Sequence, residues 1–362
     1  MSLTLHQIQL FERFTQLDGI AGQEAAIAST LRSIYEGLGF EIISDHLGSI
    51  VAHKPSKNPR AIKVLIAGHM DEVGFIVTDI RPNGMIKCDP VGGLNPQTLL
   101  ASRVRLKVGP NKFIAGSIDA IPPHLMKEED REHPVQINQM FFDFGFRSKD
   151  EAQQAEVNLG QMVVVEGPLT ILNNGQRLLA KAFDNRYGVV LGVDILEELK
   201  DVDLDIDLYV GATVQEEVGT RGAMTLAHKI HPDLAIVLDC SPARDSTGVK
   251  SELGQLGGGV LIRFYDRSMI AFPELLDYQR LAAEQVGVKY QYFDSPGGTD
   301  AGAIHLKFDG ILTLTHCICA RNIHTAASVI DIDDYLAARN SLIYMLKDLN
   351  RHQLEKWAEA RR

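Results

Sequence analysis

Ile62-Lys63-Val64-Leu65-Ile66-Ala67-Gly68-His69-Met70-Asp71-Glu72-Val73-Gly74 is the stretch on which the fold turns. Residues 62–67 form an almost unbroken apolar run, the mark of a strand buried on both faces. The run stops at Gly68, and a His follows with an Asp two positions on. That order lifts one imidazole out of a sheet edge and sets a carboxylate beside it. A metal site needs such a pair: a neutral imidazole as ligand, and a carboxylate that holds its other ring nitrogen.

The chain changes character on either side of this stretch. Upstream, Ile8, Phe11, Phe14 and Leu17, then Ile27, Leu31, Ile34 and Leu38, recur at helical spacing, with Gly19 to Gly22 breaking the pair. Short strands are expected at about 40–43 and 48–53. Downstream, segments such as Phe75-Ile76-Val77 and Val104-Arg105-Leu106-Lys107-Val108 alternate with Gly, Pro and Asn turns, the pattern of a small all-β unit. Residues 119–160 read as polar and irregular, and Gln161 to Gly167 as one more strand. From 178 onward strand and helix alternate: helices at 186–199, 222–228, 273–286, 299–306 and 333–349, strands at 206–214, 234–238, 260–264 and 310–318. That rhythm argues for an α/β layer with a largely parallel or mixed sheet. The β unit therefore interrupts an α/β domain, with about 1–72 and 172–362 on one side and about 73–171 as the insertion.

Composition narrows the function. The chain has 362 residues, 45% hydrophobic and 23% charged, an ordinary globular balance. With 36 Lys and Arg against 47 Asp and Glu, the net charge is −11, and no basic block offsets it, which argues against nucleic acid as a partner. The start, Met1-Ser2-Leu3-Thr4-Leu5, has neither a basic nor an apolar leader pattern, and no apolar stretch is long enough to span a bilayer. Neither a signal peptide nor a membrane span is expected. Cys88, Cys240, Cys317 and Cys319 are too few for a disulfide framework, and they read as buried free thiols in a reducing cytoplasm.

Five further segments carry chemistry. Asp184 lies just before a helix in Ala182-Phe183-Asp184-Asn185. Glu216 and Glu217 follow the strand 206–214, and Asp239 ends the next strand. Gly297-Gly298-Thr299-Asp300 turns into a helix, and Asn322-Ile323-His324-Thr325 follows the strand 310–318. Carboxyl ends of strands in open α/β sheets share one edge, and ligands bind there. His69, Asp184, Glu217, Asp239 and His324 thus supply two imidazoles and three carboxylates, a set for two ions if one carboxylate bridges. Such a mixture favours zinc, cobalt or manganese over calcium. If only one of the adjacent Glu216 and Glu217 ligates, the other is placed as general base on a bound water. Taken singly, Asp184 also reads as a helix N-cap and Asp300 as a helix start.

These ordered motifs resemble the glutamyl aminopeptidase family, the tetrahedral-assembly branch of the co-catalytic metallopeptidases, over nearly the whole chain. The resemblance implies a mixed-sheet, phosphorylase/hydrolase-like α/β catalytic domain with an inserted PDZ-like β-barrel that mediates dimerisation within a dodecamer. It implies two divalent ions, bridged by Asp184, with His69 and Asp239 on one and Glu217 and His324 on the other. Glu216 would be the general base and acid, and Asp71 would orient His69. The one change from the family's usual pattern is Thr325 after His324. Small peptides would be the substrates, with release of N-terminal Glu or Asp. Arg263, Arg321 and Lys250 are the candidate partners for an acidic side chain, because a buried unpaired carboxylate is costly.

Other readings remain open on the sequence. One is a broad or aliphatic-preferring aminopeptidase of the same kind. Another is a non-catalytic module whose β insertion binds peptides, which an intact ligand set and a spare Glu216 oppose. A glycosidase is a third, but Glu216 and Glu217 are adjacent and poorly placed to flank a sugar bond from opposite faces.

Overall fold

In a computed structural model the chain is described over residues 2–126, 135–249 and 254–360. Ile62–His69 is a central strand of an eight-stranded sheet. In spatial order the strands are Glu41–Ser44, Ile50–Lys54, Ile206–Thr213, Ile62–His69, Leu234–Pro242, Leu312–Ala320, Val260–Asp266 and Tyr290–Ser295. The apolar run is buried on both faces. Ile62, Val64 and Ile66 pack into a cluster with Phe11, Phe14, Tyr187 and Tyr335, while Leu65 and Ala67 pack into a second cluster with Ala223, Leu226 and Ile304. Period-two alternation thus feeds two helical layers, one on each face.

Register explains how distant residues reach one edge. Ile206–Thr213 runs parallel to Ile62–His69 with Thr213 opposite His69. Leu234–Pro242 is parallel on the other side with Val237 opposite Ala67, which brings Asp239 level with His69. Leu312–Ala320 is parallel to that strand, with Cys317 opposite Asp239. The helix Phe183–Leu199 crosses the sheet against the same edge, at a spacing only glycines permit. A Cβ on Gly68 would lie 2.9 Å from the Gly188 Cα, so neither residue has room for a side chain.

The inserted unit is a closed six-stranded barrel in the order Gly74–Ile80, Ile86–Val91, Phe142–Asp143, Lys112–Ile118, Arg103–Gly109 and Met162–Val165. It has its own core, including Phe75, Val77, Ile86, Leu106, Phe142 and Val163. Closure removes the unpaired edges that an open sheet of this size would present. Ile20 bridges to Glu72 and packs with Met162 and Val164, which seats the barrel on the α/β layers.

Most expected elements form, and the differences have local causes. The stretch 119–160 is not wholly irregular: it contains the two-residue strand Phe142–Asp143 and the helix Lys149–Gln154, which Ser148 caps. Tyr290–Ser295 is an additional edge strand with alternating exposure, too short and too polar to read as buried. Ser328–Asp331 and Arg177–Ala180 pair in a small separate sheet. Arg351–Glu359 is an additional helix with a capping box at Asn350 and Gln353. Among the described residues, no helix is long and apolar enough to cross a membrane.

Candidate metal centre

His69, Asp184, Glu216, Glu217, Asp239 and His324 come together at the carboxyl edge of the sheet and line one cavity of about 300 Å³. His69 Nε2 lies 3.0 Å from Asp184 Oδ1, 3.8 Å from Glu216 Oε2 and 3.9 Å from Asp239 Oδ1. His324 Nε2 lies 3.0 Å from Asp184 Oδ2 and 3.2 Å from Glu217 Oε1. Each Asp184 oxygen therefore faces a different imidazole. Donor atoms of His69, Asp184 and Glu217 all lie within 4.8 Å of one another. Asp184 does not act as a helix cap. It sits in a break at the start of Phe183–Leu199, at φ −85° and ψ 106°, with its carboxylate turned to the two rings.

The ring nitrogens away from the cluster are held by main-chain oxygens. His69 Nδ1 donates to the Asp71 carbonyl at 3.0 Å, and His324 Nδ1 to the Gly93 carbonyl at 2.7 Å. A neutral imidazole that donates from Nδ1 presents a lone pair at Nε2, the form a metal takes. The Asp71 carboxylate is engaged elsewhere: its Oδ1 accepts from Glu216 N at 3.0 Å and its Oδ2 from Glu217 N at 3.1 Å. Its distance to His69 Nδ1 is a longer 3.5 Å. Asp71 thus meets His69 chiefly through its backbone, and its side chain seats the Glu216–Glu217 pair. Ala182, Gln215, Asn322 and His324, all in the loops that present these groups, have positive φ without being glycine. Such concentrated strain is typical of sites whose geometry is imposed by the surrounding structure.

Charge at the centre is unbalanced. Burial, with nearby carboxylates, pushes Glu216 and Asp239 well above the usual carboxylate range, and burial raises Glu217 as well. Asp184 is the exception. Burial would raise it, but the two imidazoles pull it below its ordinary value. Burial alone would lower His324, yet its contacts with Asp184 and Glu217 hold it up to about 11. Glu217 Oε1 is buried with no aligned donor. Buried carboxylates that raise one another, an orphaned oxygen and two imidazoles aimed inward are a donor set that fits divalent cations.

The three specificity candidates separate. Arg263 is buried in the cavity wall, bound to Asp266 Oδ2 through Nε at 3.0 Å, to Ser241 Oγ through Nη1 at 3.2 Å, and to the Gly297 carbonyl. A register shift between Arg263 and Tyr265 lets residues three apart share a side of the strand. Arg321 is not brought to the cavity, because its guanidinium is paired with both oxygens of Asp245, at 2.5 and 2.7 Å. Lys250 lies outside the described residues. Gly297 and Gly298 line the cavity, and Asp300 starts a helix while binding Thr213 beneath it.

Sequence reasoning did not reach the Gly93 carbonyl, the Asp266 lock on Arg263, or a buried ion network beside the centre. In that network Lys181 Nζ donates to Glu72 at 2.6 and 2.7 Å, Arg186 Nη2 reaches Glu72 at 3.2 Å, and Lys181 lies 3.2 Å from Asp18. The available signal was the placement of Glu72, Lys181 and Arg186 within a few residues of site groups.

Residues 48–340 match the sequence profile of the M42 glutamyl aminopeptidase family. A glutamyl aminopeptidase of Lactococcus lactis subsp. cremoris is 35% identical over 97% of this chain and 99% of its own length. A lysyl aminopeptidase of Pyrococcus furiosus is 26% identical over 94% of this chain and 98% of its own. A structure of the Pyrococcus horikoshii TET1 peptidase, which can assemble into a tetrahedron or a large octahedral shell, superposes with a TM-score of 0.85 at 28% identity. It covers 95% of this chain and all of that one.

Proposed function

The chain belongs to the M42 glutamyl aminopeptidase family, and on that premise we propose that it releases N-terminal Glu and Asp from small peptides at a two-ion centre. Residues 1–72 and 172–362 form the catalytic part and 73–171 the inserted barrel. Asp184 would hold both ions, with His69 and Asp239 on one and Glu217 and His324 on the other. Two divalent ions held there, zinc or cobalt by this donor set and manganese as a further candidate, would supply Lewis acidity toward a water and a positive field for the developing oxyanion.

Glu216 is the group free to move a proton. Its Oε2 stands 3.8 Å from His69 Nε2, beyond hydrogen-bond reach, and its main-chain N–H is anchored on Asp71. It takes the proton of the attacking water and passes it to the leaving amine. Its carboxylate, only 13% exposed beside the cluster, is placed to hold that proton between the two transfers. Asp71, by fixing both N–H groups of Glu216 and Glu217, keeps the base and a ligand in step.

Arg263 carries the acidic preference, as the cationic side chain in the wall of the cavity beside the donor cluster. One observation favours a second reading, broad or aliphatic preference: Asp266 already compensates the Arg263 charge at 2.9 Å. Rates on Glu-, Leu- and Lys-p-nitroanilide separate the two. Glu should be fastest, and Arg263→Met should lower kcat/KM for Glu by about ten- to a hundred-fold more than for Leu, the range of a lost charge-assisted hydrogen bond. Leu as the fastest substrate would rule out the acidic reading.

The barrel is assigned to dimerisation, with dimers building a dodecamer. Support comes from Ile121 and Leu125, 59% and 68% exposed on it, and from the assembly of the Pyrococcus horikoshii TET1 peptidase. All four cysteines are free and buried, which suits a cytoplasmic location.

A further inference from the structure

One barrel loop reaches the ring of a proposed ligand. Gly92 and Gly93 follow the barrel strand Ile86–Val91, and the Gly93 carbonyl accepts from His324 Nδ1 at 2.7 Å. Gly92 stands at φ +86°, and a Cβ there would lie 2.7 Å from Val73 Cγ1, 3.2 Å from Glu217 Cβ and 3.4 Å from Glu217 Oε2. Gly93 thus touches the ring of His324, and a side chain on Gly92 would press against that of Glu217. The corresponding support for His69 comes from the Asp71 carbonyl, inside the α/β part.

We propose that the Gly92–Gly93 loop is a positioning element for one of the two ions, the one held by Glu217 and His324. The barrel then shapes the centre without contributing a ligand. The inference rests on the two-ion assignment above. Its physical content is an asymmetry. The Gly93 carbonyl fixes the His324 tautomer and ring plane, and the missing side chain at Gly92 leaves Glu217 its place. Among the described residues, the support of His69 comes from the Asp71 carbonyl and not from the barrel. Partners that orient a ligating His typically change metal affinity by about 10- to 100-fold when lost.

The test compares Gly92→Ala with Gly145→Ala. Gly145 is also in the barrel part at φ +82°, with nothing within 4 Å of a built Cβ, so it carries a similar backbone penalty and no contact with a ligand. Metal-stripped wild type and both variants are titrated with Zn²⁺ by calorimetry, with a melting curve for each. Wild type and Gly145→Ala should show two binding phases of equal strength in the two proteins. Gly92→Ala should weaken one phase at least ten-fold and leave the other. Two unchanged phases, or two phases weakened alike, overturn this inference alone, whereas a wild type that takes up a single ion overturns the two-ion assignment and this inference with it. Should Gly92→Ala fail to fold, replacing the Gly93–Leu94 peptide by an ester weakens the carbonyl acceptor without a new side chain. The same single phase must then weaken, and an unchanged titration overturns the proposal.

Discussion

Two buried charged clusters lie side by side in this molecule and solve opposite problems. In the first, Asp18 and Glu72 are met by Lys181, Arg186 and Arg105, all from the chain itself. In the second, Asp184, Glu216, Glu217 and Asp239 face two imidazoles, and among the described residues no Lys or Arg is ion-paired with them. The same short segments feed both: Asp71 and Glu72 are neighbours, and Lys181 and Arg186 flank Asp184. The titration behaviour follows the difference. Against the upward push of burial, Lys181 and Arg105 hold Asp18 below its ordinary value, while Glu216 and Asp239 rise well above theirs. A cluster closed by its own cations fixes the fold. A cluster left open on the cation side is a place for an ion.

Glu216→Gln probes the open cluster most sharply. It removes the proton carrier but none of the five proposed ligands. Turnover should fall by about 10²- to 10⁴-fold, the usual weight of general acid–base catalysis, with metal content unchanged. In metal-stripped protein the same change should leave the melting point level or higher, since burial and neighbouring carboxylates already disfavour a charge there. A near-normal rate would remove Glu216 from the mechanism.

The closed cluster should respond the other way. Glu72→Gln takes one side from a fully buried pair and leaves Lys181 and Arg186 short of a counter-charge. Breaking such a pair costs about 3–5 kcal/mol, to be read from urea unfolding. The folded variant should still bind metal. A variant as stable as wild type would show that the two clusters do not differ as described.

A third, smaller effect calibrates both. His316 is buried between Gln279 Nε2, which donates to its Nδ1 at 2.9 Å, and the Ala338 carbonyl, which accepts from its Nε2 at 2.8 Å. A proton on Nδ1 would face a donor, and burial drives the His316 pKa down to about 4. Its folded value lies below its unfolded one. Its stability contribution is therefore complete above pH 6.5 and lost as pH falls from about 6.5 to about 4. The loss amounts to about 3 kcal/mol, and His316→Gln should flatten the profile in that window. An unaltered profile would contradict the assignment.

Legibility in the sequence followed the range of the interaction. The strand Ile62–His69 announced itself by an apolar run, and parallel strand ends gave a physical reason for His69, Glu217 and Asp239 to share an edge. Glycine and proline punctuation marked the barrel. What stayed hidden depends on main-chain oxygens and on bulges. No side-chain pattern encodes the Gly93 carbonyl, and only a register shift puts Asp266 behind Arg263. Arg321 carried the same charge as Arg263, and only the position of Asp245 shows that its charge is spent elsewhere. The buried Glu72–Lys181 pair was faint because its members, taken singly, look like ordinary surface residues and only their nearness to site groups sets them apart.

The most direct test of the open cluster is the number of divalent ions per subunit, measured by plasma mass spectrometry alongside turnover for wild type and Asp184→Ala. Two ions per active wild-type subunit, and loss of both metal and turnover in Asp184→Ala, are the predicted results. Full turnover with fewer than one ion per subunit, or an Asp184→Ala variant that keeps two, would contradict the account.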